Sequence, residues 1–269
     1  MSILIDSHCH IHEDDFPLDL HDVLKNSAKN NVTKIFCIGT NLESSQKAIE
    51  FAKEFNDRSG VSIFATLGVH PHESVTFTDN DNIEIRKLIK ENPANIKGIG
   101  EIGLDYYYEF SPRDAQISAF ESQLQIALEH NLPVSFHLRD DVKNPGRVFE
   151  DFWPIVSNFP KVRGVMHSFT DTSINMEIAV DRGFYIGVNG IVTFNKNPEQ
   201  TKMYRSIPIE RLILETDAPY LSPVPFRGKI SQPSYIKNIA EFLSEFLNKP
   251  IEEISEKTTK NTAELFQIS

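Results

Sequence analysis

The sequence predicts an α/β chain folded as a (β/α)8 barrel, on two observations. Short β-rich runs alternate with longer amphipathic stretches along the whole chain, and eight such runs occur. The 269 residues are long for an ordinary domain but usual for one barrel, so residues 1–269 are expected to form a single domain. An open doubly wound sheet is the runner-up, weakened because no glycine-rich dinucleotide or phosphate loop follows any run.

In chain order the runs are SILIDSH, TKIFCIGT, VSIFATLGVH, IKGIGEIGLD, LPVSFHLR, VRGVMHSF, GFYIGVNGI and RLILETDAP. Between the earlier ones lie the helical stretches LHDVLKNSAKNN, LESSQKAIEFAKEF, NIEIRKLIKEN and SPRDAQISAFESQLQIALEHN. In the last of these, Ile117, Phe120, Leu124, Ala127 and Leu128 recur at helical spacing and make one apolar face. Ser111 before Pro112 reads as an N-cap followed by proline at the first helical position. The tail from Gln232 reads as helices against the outside of the barrel.

Composition narrows the class. With 40% hydrophobic and 24% charged residues the chain can bury a sizeable core. Its apolar runs are far shorter than the roughly 20 residues of a membrane helix. No basic, apolar and small-residue leader is visible at the N-terminus, so a cytoplasmic location without a membrane association is expected. Cys9 and Cys37, the two cysteines, are expected to be buried thiols and not a disulfide framework. The formal net charge of −11 argues against broad attraction to a polyanion, but not against an anionic substrate held locally by metal ions. No obligate protein partner is evident.

The unusual polar residues fall at the ends of the runs: His8 and His10, His70 and His72, Glu101 and Asp105, His137 and Arg139, His167, and Asp217. In a barrel these strand ends converge on one mouth. Six of the nine histidines lie there, while His12, His21 and His130 read as surface, helix-face or helix-end groups. By strict alternation Asp6, His8 and His10 all face inward and Cys9 faces the helices, with Asp6 orienting a ligand or pairing with a buried neighbour. Four histidines, a glutamate and an aspartate are too many ligands for one tetrahedral ion and suit a pair.

The ordered set DSHCH, GVHPH, GEIGLDYYY, FHLRD, MHSF, ETDAPYL and PVPFRGK, ending in NTAELF, closely resembles the TatD family of metal-dependent deoxyribonucleases within the amidohydrolase superfamily. The resemblance covers nearly the whole chain. It implies a TIM-like barrel and two divalent ions, Mg²⁺, Mn²⁺ or Zn²⁺, with His8, His10, Glu101, His137, His167 and Asp217 as ligands. In that scheme Glu101 bridges the ions, His8, His10 and Asp217 hold one, and His137 and His167 hold the other. Carbamylated-lysine relatives differ at this point, since the nearest lysine, Lys97, lies at the start of the fourth run.

The expected activity is exonucleolytic cleavage of DNA at single-stranded or frayed ends by a metal-activated water. Asp217 would take the proton and His72 would assist the leaving oxygen. Arg139, Arg227, Lys229 and Tyr106 are candidate substrate contacts; for Arg139 the alternative is a rim ion pair with Asp140 or Asp141, and for Tyr106 to Tyr108 it is merely covering the fourth loop. His70 reads as a core histidine bonded to the backbone. The same centre acting on another ester or amide, such as a phosphomonoester or an aminoacyl-tRNA ester, is the alternative function. A non-catalytic nucleic-acid-binding scaffold would instead be expected to have lost ligands, and none is missing.

Overall fold

The computed structural model of the protein describes residues 3–56, 58, 60–108, 110–141 and 145–269. Ser2, at the head of the first expected run, and Glu109, within DYYYEF, lie outside them. All eight runs contain strands: β1 Leu4–Cys9, β2 Val32–Ile38, β3 Ser62–Leu67, β4 Ile96–Asp105, β5 Val134–Arg139, β6 Gly164–Met166, β7 Tyr185–Val188 and β8 Leu212–Leu214. They form one sheet in sequential order, every neighbouring pair parallel.

The seam between β1 and β8 is short. It is made just beyond β8, where the Asp217 N–H donates to the His8 carbonyl at 2.9 Å and the His10 N–H donates to the Ala218 carbonyl at 2.7 Å. The helices are α1 Leu20–Lys29, α2 Leu42–Phe55, α3 Asp79–Glu91, α4 Arg113–Glu129, α5 Arg147–Ser157, α6 Ser173–Asp181, α7 Pro198–Ser206, α8 Ile236–Leu247 and α9 Ile251–Phe266. No described helix is long and apolar enough to cross a membrane.

Two apolar clusters result. The larger lies between strands and helices and includes Cys9, Ile35, Cys37, Phe120 and Phe136. The smaller gathers Ile5, Phe36, Ile38, Val165, Tyr185 and Ile213, side chains from strands on opposite sides of the barrel, and so fills its interior. Leu265 and Phe266 of α9 join that interior cluster, with the Phe266 ring 4.2 Å from that of Phe36. The tail therefore does more than coat the outside: α9 closes one end of the barrel. Asn261 pins it there, its side-chain amide donating to the carbonyls of Ile209 at 2.7 Å and Leu212 at 2.8 Å.

Three local expectations are corrected. The N-cap of α4 is Pro112, one residue later than expected, because Ser111 is engaged elsewhere. Its hydroxyl donates to the His72 carbonyl and accepts from the Val75 N–H. His12 is buried, with Nε2 3.2 Å from Ser44 Oγ and 3.3 Å from Glu13 Oε1, so it is not a surface group. His130 does end α4, and His21 lies on the exposed face of α1.

The third correction concerns the register of β1. Asp6 pairs with Ile35 and Cys9 with Cys37, so three steps along β1 match two along β2. An extra residue resets the alternation between them. Asp6 thereby shares its side with Cys9 and not with His8 and His10. Its carboxylate accepts the Thr216 N–H at 2.9 Å, the Thr216 hydroxyl at 2.5 Å and the His8 backbone N–H at 3.3 Å, so it pairs with a buried neighbour. Asp6 thus holds the segment that carries Asp217. Both cysteines are free and buried, as expected.

Candidate metal centre

The barrel seam is also the centre of the site. Because the backbone of Asp217 is bonded to that of His8, its carboxylate faces the β1 histidines: Asp217 Oδ1 is 3.6 Å from His10 Nε2 and 3.8 Å from His8 Nε2. Asp217 has φ 58°, in the left-handed region that a non-glycine residue adopts only when its surroundings hold it there. Its carbonyl also accepts the Tyr220 N–H at 2.8 Å, so the turn role and the mouth-facing carboxylate coexist.

Glu101 enters from β4. Oε2 lies 3.3 Å from His8 Nε2 and 3.8 Å from His10 Nε2, while Oε1 lies 2.5 Å from His137 Nδ1 and 3.8 Å from His167 Nε2. One carboxylate thus faces two groups of imidazoles. Glycines allow this close approach of β4 to β5. Gly103 has φ 151°, and a Cβ there would stand 2.0 Å from the His137 carbonyl oxygen.

The donor set fits divalent ions. Ligands bound at about 2.1 Å in a tetrahedron stand about 3.4 Å apart, and the spacings around His8, His10, Glu101 and Asp217 bracket that value. Among the described residues three groupings could hold an ion: His8, His10 and Asp217; His8, His167 and Glu215; and His70, Glu101 and His137. Most of the histidine nitrogens turned away from the centre also have partners. His10 Nδ1–H donates to the Ile38 carbonyl at 3.0 Å, His8 Nδ1 lies 3.2 Å from Ser135 Oγ, and His137 Nε2 lies 2.9 Å from Asp105 Oδ2. His167 Nδ1 is the exception: it lies 3.0 Å from Glu215 Oε1, an ion-pair distance, but makes no hydrogen bond to a described residue. Such outer partners select the tautomer that leaves the other nitrogen free for a metal.

The electrostatics point the same way. Glu101, Asp105 and Glu215 are buried, and the cationic groups within ion-pair distance of Glu101 and Asp217 are imidazoles. Burial would raise the Glu101 carboxyl, but the His167 and His137 rings hold it well below the usual carboxylate range. Burial would lower His137, but Glu101 and Asp105 raise it to about 9; His167 is raised to about 10 by Glu215 and Glu101 in the same way. A cluster of buried carboxylates that must otherwise borrow protons on neighbouring rings is suited to a bound cation.

A family model described as TatD related DNase matches residues 5–267. The chain belongs to the TatD family. A relative from Bacillus subtilis (strain 168), named uncharacterized metal-dependent hydrolase YabD, is 32% identical over 267 residues, 99% of this chain and 100% of that one. A Salmonella typhimurium relative, named 3′-5′ ssDNA/RNA exonuclease TatD, is 32% identical over 258 residues, covering 94% of this chain and 95% of the other. The crystal structure of YJJV, a TatD homolog from Escherichia coli K12, is similar with a TM-score of 0.86 and 26% identity, over 99% of this chain and 98% of that one. Membership places this TatD chain among metal-dependent hydrolases.

All six expected ligand residues of the TatD chain come together. His70 adds a reach that the sequence did not suggest. Its Nδ1 accepts the His72 N–H at 3.2 Å, the expected backbone bond, and its Nε2 lies 3.8 Å from Glu101 Oε1. His72 Nε2 lies 2.9 Å from Asp105 Oδ2, the same oxygen that His137 meets.

The expected substrate contacts divide. Tyr106 is buried and its hydroxyl donates to Asp151 at 2.6 Å, which corrects its expected role; Tyr107 and Tyr108 are the exposed rings. Arg139 lies over those two rings, at 4.2 and 4.7 Å, and not in a rim ion pair with Asp140. Asp140 instead accepts the N–H groups of Asp141, Gly146 and Val148. Arg227 and Lys229 are exposed in the loop after β8, Arg227 resting 3.6 Å above the Phe194 ring. Asp105, Glu215 and Ser135 were missed as outer partners; only the Asp105 strand-end position and the Glu-x-Asp spacing of Glu215 to Asp217 hinted at them.

Proposed function

We propose that the protein is a divalent-metal-dependent deoxyribonuclease that cleaves phosphodiester bonds from single-stranded or frayed ends. The observation that carries this reading is the position of Glu101 between two histidine groups, within 3.8 Å of His8, His10, His137 and His167. That arrangement supports two ions, with Mg²⁺, Mn²⁺ and Zn²⁺ the candidates. His8, His10 and Asp217 would hold one, His137 and His167 the other, and Glu101 would touch both. The name of the Salmonella relative supports a polynucleotide as substrate.

When bound, the ions supply Lewis acidity, which makes water nucleophilic near neutral pH and offsets charge developing on the phosphoryl oxygens. The chain's own groups do the rest. Burial raises the Asp217 carboxyl, but His10, His167 and His8 hold it below the usual range, so it is ionised at neutral pH and can accept the proton of the attacking water. His72, whose Nε2 is held by Asp105, would assist the leaving oxygen. Arg139, Arg227 and Lys229 supply cations for flanking phosphates.

The test is incubation of the metal-loaded protein with end-labelled single-stranded DNA. Cleavage that needs the metal and falls by about 10²–10³-fold or more in Glu101→Ala is expected, given what removal of one charge-stabilising group costs. Absence of cleavage with all three ions, or full activity in the variant, contradicts the reading.

A further inference from the structure

Beside the ring of imidazoles and carboxylates, a second concavity opens between the ends of β5 and β6. It encloses about 240 Å³ and is walled by Tyr107, Phe149 and Phe169, with Arg139 and His167 among its polar groups. His167 belongs to both hollows, since its Nε2 lies 3.8 Å from Glu101 Oε1 and 3.8 Å from Asp217 Oδ1. The pocket therefore adjoins the candidate metal centre. Arg139 is fixed against the pocket by its contacts with the Tyr107 and Tyr108 rings, and Asp140 and Asp171 also line the hollow.

We propose that this pocket receives the base of the nucleotide adjoining the scissile phosphodiester. The inference rests on the nuclease reading above and specifies how the substrate is held. Aromatic walls match the flat, apolar faces of a base, and the guanidinium at the edge matches its ring acceptors or the phosphate beside it. The volume is below the range usual for drug-sized ligands, so one ring system enters and a base pair does not. A base must leave its stack to enter, which selects for unpaired ends.

The experiment compares two oligodeoxynucleotides that differ only in the terminal residue, adenine or abasic, with each end altered in turn. In the wild-type, metal-loaded protein KM for one adenine-ended strand is expected to be about tenfold below its abasic partner, the factor for one modest stacking contact. Tyr107→Ala, which removes an exposed wall, and Thr170→Trp, which fills the pocket from its exposed rim, should each bring the ratio close to one. Phe110→Ala, removing an exposed ring that does not line the pocket, should keep it.

No adenine preference in the wild type, or a preference that survives both pocket variants, overturns the proposal. Should the wild type cleave neither strand, the nuclease reading fails by itself, and the pocket is judged by calorimetry with deoxyadenosine monophosphate against deoxyribose 5-phosphate. Tighter binding of the nucleotide by about tenfold, lost in Thr170→Trp, supports the pocket. Equal affinities reject it.

Discussion

Asp105 Oδ2 is shared by two imidazoles, 2.9 Å from His72 Nε2 and 2.9 Å from His137 Nε2, while Oδ1 accepts the N–H groups of Tyr107 and Tyr108, each at 3.0 Å. One side chain thereby orients a candidate ligand, a candidate proton donor and the aromatic loop. Asparagine at this position keeps the shape but cannot accept from both rings with the same strength. Asp105→Asn is expected to lower kcat/KM or metal affinity by about 10- to 100-fold. Steady-state kinetics and metal titration check it, and an unchanged melting temperature separates it from unfolding. That the strand ends carry a site was legible because imidazoles and carboxylates there have few structural roles, and the family resemblance singled out the six candidate ligands. Their outer partners were not: Ser135 and Glu215 are ordinary residues until the barrel brings them to a ring nitrogen.

The clearest case at the scale of an element is α4. Its expected apolar face is correct: Phe120, Leu124 and Ala127 are buried, and Ile117 and Leu128 pack against the same core. Two glutamines on the same helix are buried as well, Gln116 and Gln123. Gln123 accepts the Val69 N–H at 2.7 Å and donates to the Val69 carbonyl at 3.0 Å. Gln116 does the same for Asp105, at 2.8 and 2.9 Å. The helix thus grips the backbone next to His70 and that at the end of β4. Gln123→Leu leaves both polar groups of Val69 without that partner in a buried setting, and chemical denaturation should show a loss of about 1–3 kcal/mol. A periodicity argument counts glutamine as polar and assigns it to the surface. Only the loop it meets explains its burial.

For the whole molecule, the formal net charge of −11 sets the long-range field. A chain that recognises polynucleotide through a basic face would show a steep salt dependence. Here Arg139, Arg227 and Lys229 are the candidate phosphate partners, so the slope of log kcat/KM against log salt should be about −2, three contacts at roughly 0.7 each for single strands. A kinetic series at constant free metal measures it, and a slope steeper than about −4 would mean a larger cationic surface than these residues provide.

The same scale separates what each level of description determined. From the residues alone came the alternation of eight strands with helices, the buried thiols and the gathering of imidazoles and carboxylates at strand ends, because side-chain period and chemical type are local properties; the family resemblance picked the six candidate ligands out of that gathering. Tertiary structure decided the turn of Asp6 away from His8, the buried place of Tyr106, the capping of one barrel end by Phe266 and the meeting of Asp217 with His8 across the seam. Each of these depends on register or closure between segments far apart in sequence. A single extra residue in β1 changes which face a side chain shares, and simple alternation carries no record of it.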